Sequence, residues 1–220
     1  MKKSASAVSV IGGADGPTSV FLLKKNTKPT LRQKIQRTKN KIKQFCVGKT
    51  LSCESHSLDE VMEYIVNRYG FIEIDKDVEE VTEEYQQMRA SFIIQYAPEL
   101  LEESTAYPKL KSESPEDVEV YIRKSEERMQ RAMEIPSAEF DIDFHKFKKS
   151  FDDINDNIHI VIEKKYAYIG GGAGGNKKVI KRFQKIYKDV YRYYGVTKED
   201  KINKSERYKD VVRTLSQSRI

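Results

Sequence analysis

Blocks of period-two and period-3.6 apolar spacing succeed one another along this chain, predicting strands and helices in mixed order. Val8-Ser-Val-Ile11 and Ser19-Val-Phe-Leu-Leu23 are β-prone runs on either side of a Gly/Pro-rich stretch, which predicts a hairpin with about seven residues in its loop. From Thr30, the spacing of Leu31, Ile35, Ile42 and Phe45 predicts a helix with a thin apolar stripe. Arg32, Lys34, Arg37, Lys39, Lys41 and Lys43 crowd the rest of its surface. Ser57 and Glu60 stand at capping-box spacing, and Leu58, Val61, Ile65 and Val66 predict a helix to Tyr69, ended by Gly70. Phe71 to Ile74 reads as a strand. Val78, Val81, Tyr85, Met88 and Phe92 then predict a long helix from about Asp77, stopped by Pro98. Ser114-Pro115 opens another helix that should reach about Glu134.

In the second half, Phe140, Ile142 and Phe144 alternate with Asp141, Asp143 and His145, as a half-buried strand does. A turn-rich stretch from Asp152 to Asn157 leads into a run from Ile158 to Ile169 that reads as one continuous strand, antiparallel to the first. After six small residues, the pattern of Val179, Ile180, Phe183, Ile186, Tyr187, Val190, Tyr191 and Tyr194 predicts a strongly amphipathic helix closed by Gly195. Thr197 should start one last helix carrying Ile202, Val211, Val212 and Leu215. The expected fold is α+β: an antiparallel sheet packed by several amphipathic helices, with an N-terminal hairpin-like segment. The expected organisation is a glycine-rich hairpin or docking segment over 1–29, a basic amphipathic segment over 30–50, and an α+β domain over 51–220.

Charge changes this picture more than its sum suggests. The chain of 220 residues carries a formal net +6. Residues 1–50 hold 12 Lys/Arg against one acid, residues 51–139 hold 9 against 22, and residues 176–220 hold 14 against 5. An acidic middle between basic ends suits internal neutralisation or a complementary protein partner, and it disfavours nucleic acid because the middle repels phosphates. Mean hydropathy is −0.68. Apolar runs such as Val20 to Leu23 and Ile158 to Ile162 fall far short of the roughly 20 residues a membrane-spanning helix needs. A cytoplasmic protein without integral membrane insertion is therefore expected. Cys46 and Cys53 are too few for a disulfide framework, and with His56 they match no common zinc spacing, so no metal is expected.

Two glycine-rich stretches carry candidate chemistry. Residues 11 to 18, Ile-Gly-Gly-Ala-Asp-Gly-Pro-Thr, combine three glycines, a proline and one carboxylate, so they either turn the chain or present Asp15 to something small. With the apolar residues that follow, to Phe21, this stretch resembles a segment of the beta subunit of sodium-ion-translocating decarboxylases. The resemblance implies an ion-coupling role for Asp15, with Gly12, Gly13, Gly16, Pro17 and Thr18 shaping the backbone around it. It covers about a dozen residues, and the rest of the chain lacks that family's membrane-spanning segments.

The second stretch, Gly170 to Gly175, is expected as a loop before a helix. Gly174, Gly175, Asn176, Lys177 and Lys178 would there offer free N–H groups and two cations to an anion. Neither a dinucleotide-binding unit nor a phosphate loop of the Gly-Lys-Ser/Thr kind is completed, so no cofactor is expected. His145 and His159 take strand positions of surface-facing type, and no nucleophile pairs with either by sequence logic. The leading expectation is a non-catalytic binding or adaptor protein whose partner is another protein. The alternatives are an accessory protein of a sodium-ion-translocating decarboxylase, or an anion-binding protein or enzyme that uses the Gly170–Gly175 loop.

Overall fold

The computed structural model describes residues 5–13, 16–24, 30–75, 77–101, 110, 112, 114–151 and 156–217. In chain order its elements are strands β1 (Ala5–Gly13) and β2 (Gly16–Lys24), helices α1 (Leu31–Thr50) and α2 (Leu58–Tyr69), strand β3 (Ile72–Ile74), helices α3 (Glu79–Tyr96) and α4 (Pro115–Glu134), strands β4 (Phe144–Ser150), β5 (Asn157–Glu163) and β6 (Tyr168–Gly174), and helices α5 (Lys177–Tyr194), α6 (Lys198–Asn203) and α7 (Glu206–Ser216). The fold is α+β. Two compact units share the chain: Met1–Lys28 with Glu79–Asp141, and Pro29–Val78 with Ile142–Ile220.

In the first unit, β1 and β2 pair antiparallel, with Val10 opposite Val20 and Gly13 opposite Gly16. The ladder therefore runs into the segment expected as a seven-residue loop. Gly12 and Pro17 face each other after a register shift that leaves Thr18 between paired positions, an irregularity of the kind that admits proline to a strand. Asp15 lies outside the described residues. Helices α3 and α4 bury Ala90, Ile93, Leu101 and Ala132 between them. Arg89, 1 % exposed, donates from Nε to Phe140 O at 2.7 Å and from Nη2 to Ile135 O. This clamp takes Phe140 out of the strand expected there, and β4 begins only at Phe144.

The second unit is built on an antiparallel sheet ordered β3-β4-β5-β6. Phe147, Ile158, Ile160, Ile162 and Ile169 form one core with Val61 and Ile65 of α2, Val179, Ile186, Val190, Tyr191 and Tyr194 of α5, and Val211 of α7. Each aliphatic side chain removed from water here contributes about 1.5–3 kcal/mol. The expected caps form: Ser57 and Glu60 close a reciprocal capping box on α2, and Gly70 ends it with φ +66°.

Three local expectations give way to tertiary packing. The run from Ile158 to Ile169 breaks at Lys164–Ala167, because the fully buried Glu163 carboxylate accepts from the backbone N–H groups of Asp143, Lys165 and Tyr166 at 3.0, 3.1 and 2.7 Å. The stretch from Gly170 to Gly174 is strand, not loop, and pairs along β5 from Val161 to Asn157. A Cβ at Gly171 would sit 2.5 Å from His159 O, whereas at Gly172 it would meet the His159 ring, so glycine is what lets β5 and α5 close over β6. The last helix divides into α6 and α7, since Lys204 turns left-handed (φ 48°) and Ser205 caps α7 by accepting from Tyr208 N. Among the described residues, no helix is long and apolar enough to cross a membrane.

Candidate functional site

Among the described residues, a dense polar constellation sits where α2 packs on α5. Spacing of four along α2 puts Tyr64 and Arg68 on one face, and the same spacing along α5 does so for Asp189 and Tyr193. Tyr64 and Tyr69 both donate to Asp189 Oδ2, at 2.5 and 2.6 Å, and Arg68 Nε lies 3.5 Å from the same oxygen. The Arg68 guanidinium also lies over both rings, 5.4 Å from Tyr64 and 5.8 Å from Tyr69. Tyr193 is stacked between Tyr64 at 3.9 Å and His56 at 3.8 Å, a three-ring ladder. His56 Nδ1 is 2.5 Å from Tyr193 O, which accepts its proton.

Register between the two helices is held at their ends. Ser55 forms a β-bridge with Gly195. Arg207 of α7 donates to Gly195 O at 3.0 Å and to His56 O at 2.8 Å, with its guanidinium 3.9 Å from the Tyr194 ring centre.

The electrostatics follow from this geometry. Burial by itself would raise the Asp189 carboxyl, but the two phenol donors and Arg68 outweigh it and hold the group below its ordinary 3.8. Burial, reinforced by donation to Asp189, pushes both the Tyr64 and Tyr69 phenols upward. The cluster thus joins a carboxylate that favours its ionised form to two phenols that favour their protonated form.

Around Asp189, α5 carries Lys177, Lys178, Lys181, Arg182, Lys185, Lys188 and Arg192 and no second acid. Lys181, Lys185 and Arg192 are exposed. The opposite flank of α5 borders an open cleft of about 530 Å³ whose lining includes Tyr168, Phe183, Tyr187, Asp210 and Arg213. Tyr187 and Tyr191 there donate to Ile169 O, each at 2.9 Å.

At the start of α5, the sequence-predicted anion residues meet a carboxylate of the chain itself. Asp156 accepts from Asn176 N at 3.1 Å and from Asn176 Nδ2 at 2.7 Å. Asn176 Oδ1 in turn accepts from Lys178 N at 2.8 Å and Val179 N at 3.4 Å, a cap worth about 1 kcal/mol. Gly174 is paired in β6, Gly175 turns with φ +115°, and Lys177 and Lys178 are exposed beside them. Gly12, Gly13 and Gly16 occupy hairpin ladder positions, and Thr18 lies within β2.

His145 is occupied on both ring nitrogens, with Nδ1 2.7 Å from Glu73 Oε1 and Nε2 3.1 Å from Asp143 Oδ1. Lys164 joins Asp143 to Asp59 at 3.5 and 2.8 Å. Among the described residues, no group of three His, Cys, Asp or Glu side chains is placed to hold a metal ion.

Sequence reasoning missed the Asp189 cluster because its members lie up to 137 positions apart. The only local signals were the i, i+4 pairs on each helix. Comparison with protein-family models, curated proteins and solved structures finds no match to this chain.

Proposed function

We propose that this chain is a non-catalytic binding or adaptor protein, and that the outward face of α5 engages an acidic surface on a partner protein. One observation carries the reading. Lys181, Lys185 and Arg192 project from a helix whose inner face is fixed by the core and whose only carboxylate, Asp189, is already held by Tyr64, Tyr69 and Arg68. A row of cations on a rigid element recognises acidic surfaces without the cost of ordering them. Nucleic acid is the less favoured anion. Both faces of Tyr193 are covered by His56 and Tyr64, and the Tyr187 and Tyr191 hydroxyls are bonded to the sheet, so these rings are committed within the fold.

Affinity purification from the native cell, compared with Lys181→Glu/Lys185→Glu/Arg192→Glu, tests the reading once the recovered partner is purified and titrated directly. The expected result is an acidic partner whose affinity falls at least about tenfold in the charge-reversed protein and weakens with salt. Equal affinity for both proteins would overturn it.

A further inference from the structure

We infer that α1 is a membrane-surface helix that lies in the headgroup region of an anionic lipid bilayer. Its apolar residues are presented to solvent: Leu31 is 75 %, Ile35 47 %, Ile42 57 % and Phe45 64 % exposed. At about 100° per residue, these four fall within an arc of roughly 80°. Thr38 lies inside that arc, Arg32, Lys39 and Lys43 flank one edge of it and Lys34 and Lys41 the other, while Gln36, Asn40, Gln44 and Arg37 take the opposite face. No Asp or Glu occurs in the helix. On that opposite face Gln36 donates to Asn40 at 3.2 Å.

The C-terminal end of α1 is held against α7 and the chain beyond it. Gly48 lies so close under the Tyr208 hydroxyl that a Cβ would clash with it, and Lys201 donates to Leu51 O at 2.9 Å just past the helix. Every described side chain from residue 31 to 46 is exposed. The stripe therefore projects from the fold, and the exposed Arg32, Lys34, Lys39 and Lys41 flank it on aliphatic stems long enough to carry their charges to the headgroup level.

Charge complementarity and the stripe together select the occupant. A nucleic acid backbone takes up the lysines but leaves Leu31, Ile35, Ile42 and Phe45 in water. An anionic bilayer takes both, with the apolar arc buried about 5–10 Å at the headgroup boundary and the cations at the phosphates. This surface is distinct from the α5 face, so the two readings stand or fall separately. If both hold, the chain joins a lipid surface to an acidic protein.

Co-sedimentation of the full chain with vesicles tests the inference. The vesicles are phosphatidylcholine alone or with about 30 % phosphatidylserine. Wild type is expected to bind the anionic vesicles, to bind neutral ones at least about tenfold more weakly, and to lose affinity as salt rises. Ile35→Glu/Phe45→Glu should lose at least about tenfold on anionic vesicles with melting temperature unchanged, because both side chains are exposed. Lys181→Glu/Lys185→Glu on α5 should retain most of the binding. The inference is overturned by failure to bind anionic vesicles, by full binding in the stripe variant, by binding to a single-stranded RNA without binding to vesicles, or by a dimer that dissociates in the stripe variant and never meets lipid.

Discussion

Tyr64 of α2 donates its phenolic proton to Asp189 of α5 across 2.5 Å, joining two helices through residues 125 positions apart in the chain. Tyr64→Phe removes that donor and leaves Tyr69 and Arg68 on the carboxylate. A hydrogen bond to a charged group contributes about 1.5–3 kcal/mol when buried, and partial exposure of this carboxylate reduces the expected loss to about 1 kcal/mol. Urea unfolding at neutral pH measures it. A midpoint identical to wild type would contradict the assignment.

The same pair predicts an acid limit. The folded Asp189 carboxyl lies below its ordinary 3.8, so its stabilisation is complete above that value and is lost as pH falls through the folded pKa. The stability gap between wild type and Asp189→Asn should stay constant from pH 7 to about 5 and shrink below about 4. Equilibrium unfolding over this range is the check, and a gap that widens in acid would refute it.

Tyr85 predicts an alkaline counterpart. Burial, with donation to Asp141 at 2.6 Å, pushes its phenol up from 10.0 to about 12. A raised pKa gives stability that is present below the unfolded value and lost as pH rises towards the folded one. Absorbance titration of the tyrosinate band should show a step near pH 12 that is missing in Tyr85→Phe. The Tyr85→Phe deficit in stability should narrow above about pH 10.

Glycines inside β6 separate strand from connector. Gly171→Ala places a methyl against the His159 carbonyl of the neighbouring strand, an overpacking that costs about 1–3 kcal/mol. Gly170→Ala first meets the ring of the exposed Tyr168, the far end of a side chain rather than backbone, and should cost under about 1 kcal/mol. Equal tolerance of the two substitutions, read by thermal unfolding, would mean that this segment is not paired as a strand.

Asp15 sets the sodium-site expectation against the hairpin. Asparagine forms similar local hydrogen bonds, so Asp15→Asn should lose at most about 1 kcal/mol. Wild type should melt at the same temperature in sodium and potassium of equal ionic strength. A sodium-specific rise abolished by the mutation would instead make the segment an ion site.

Much of the fold was legible in the sequence because its causes are local. The Ser57/Glu60 box, the Ser114-Pro115 start, the Gly70 stop and the apolar stripe of α5 each act within a turn or two of helix, so spacing alone specified them. The antiparallel pairing of β4 with β5 was likewise written in alternation and an intervening turn-rich stretch. The candidate basic faces of α1 and α5 were also visible as charge at helical spacing.

Tertiary structure decided what depends on groups distant in the chain. The turn after β5 contains no glycine, proline or asparagine; it exists because Glu163 is buried and must satisfy its oxygens with three backbone N–H groups. Glycine composition reads as loop, yet Gly170–Gly174 is strand because β5 supplies its hydrogen-bond partners and leaves no room for a Cβ at Gly171. The Asp189 cluster needed α2 laid against α5. Residue spacing determines which side chains share a face, but only packing determines which face they meet.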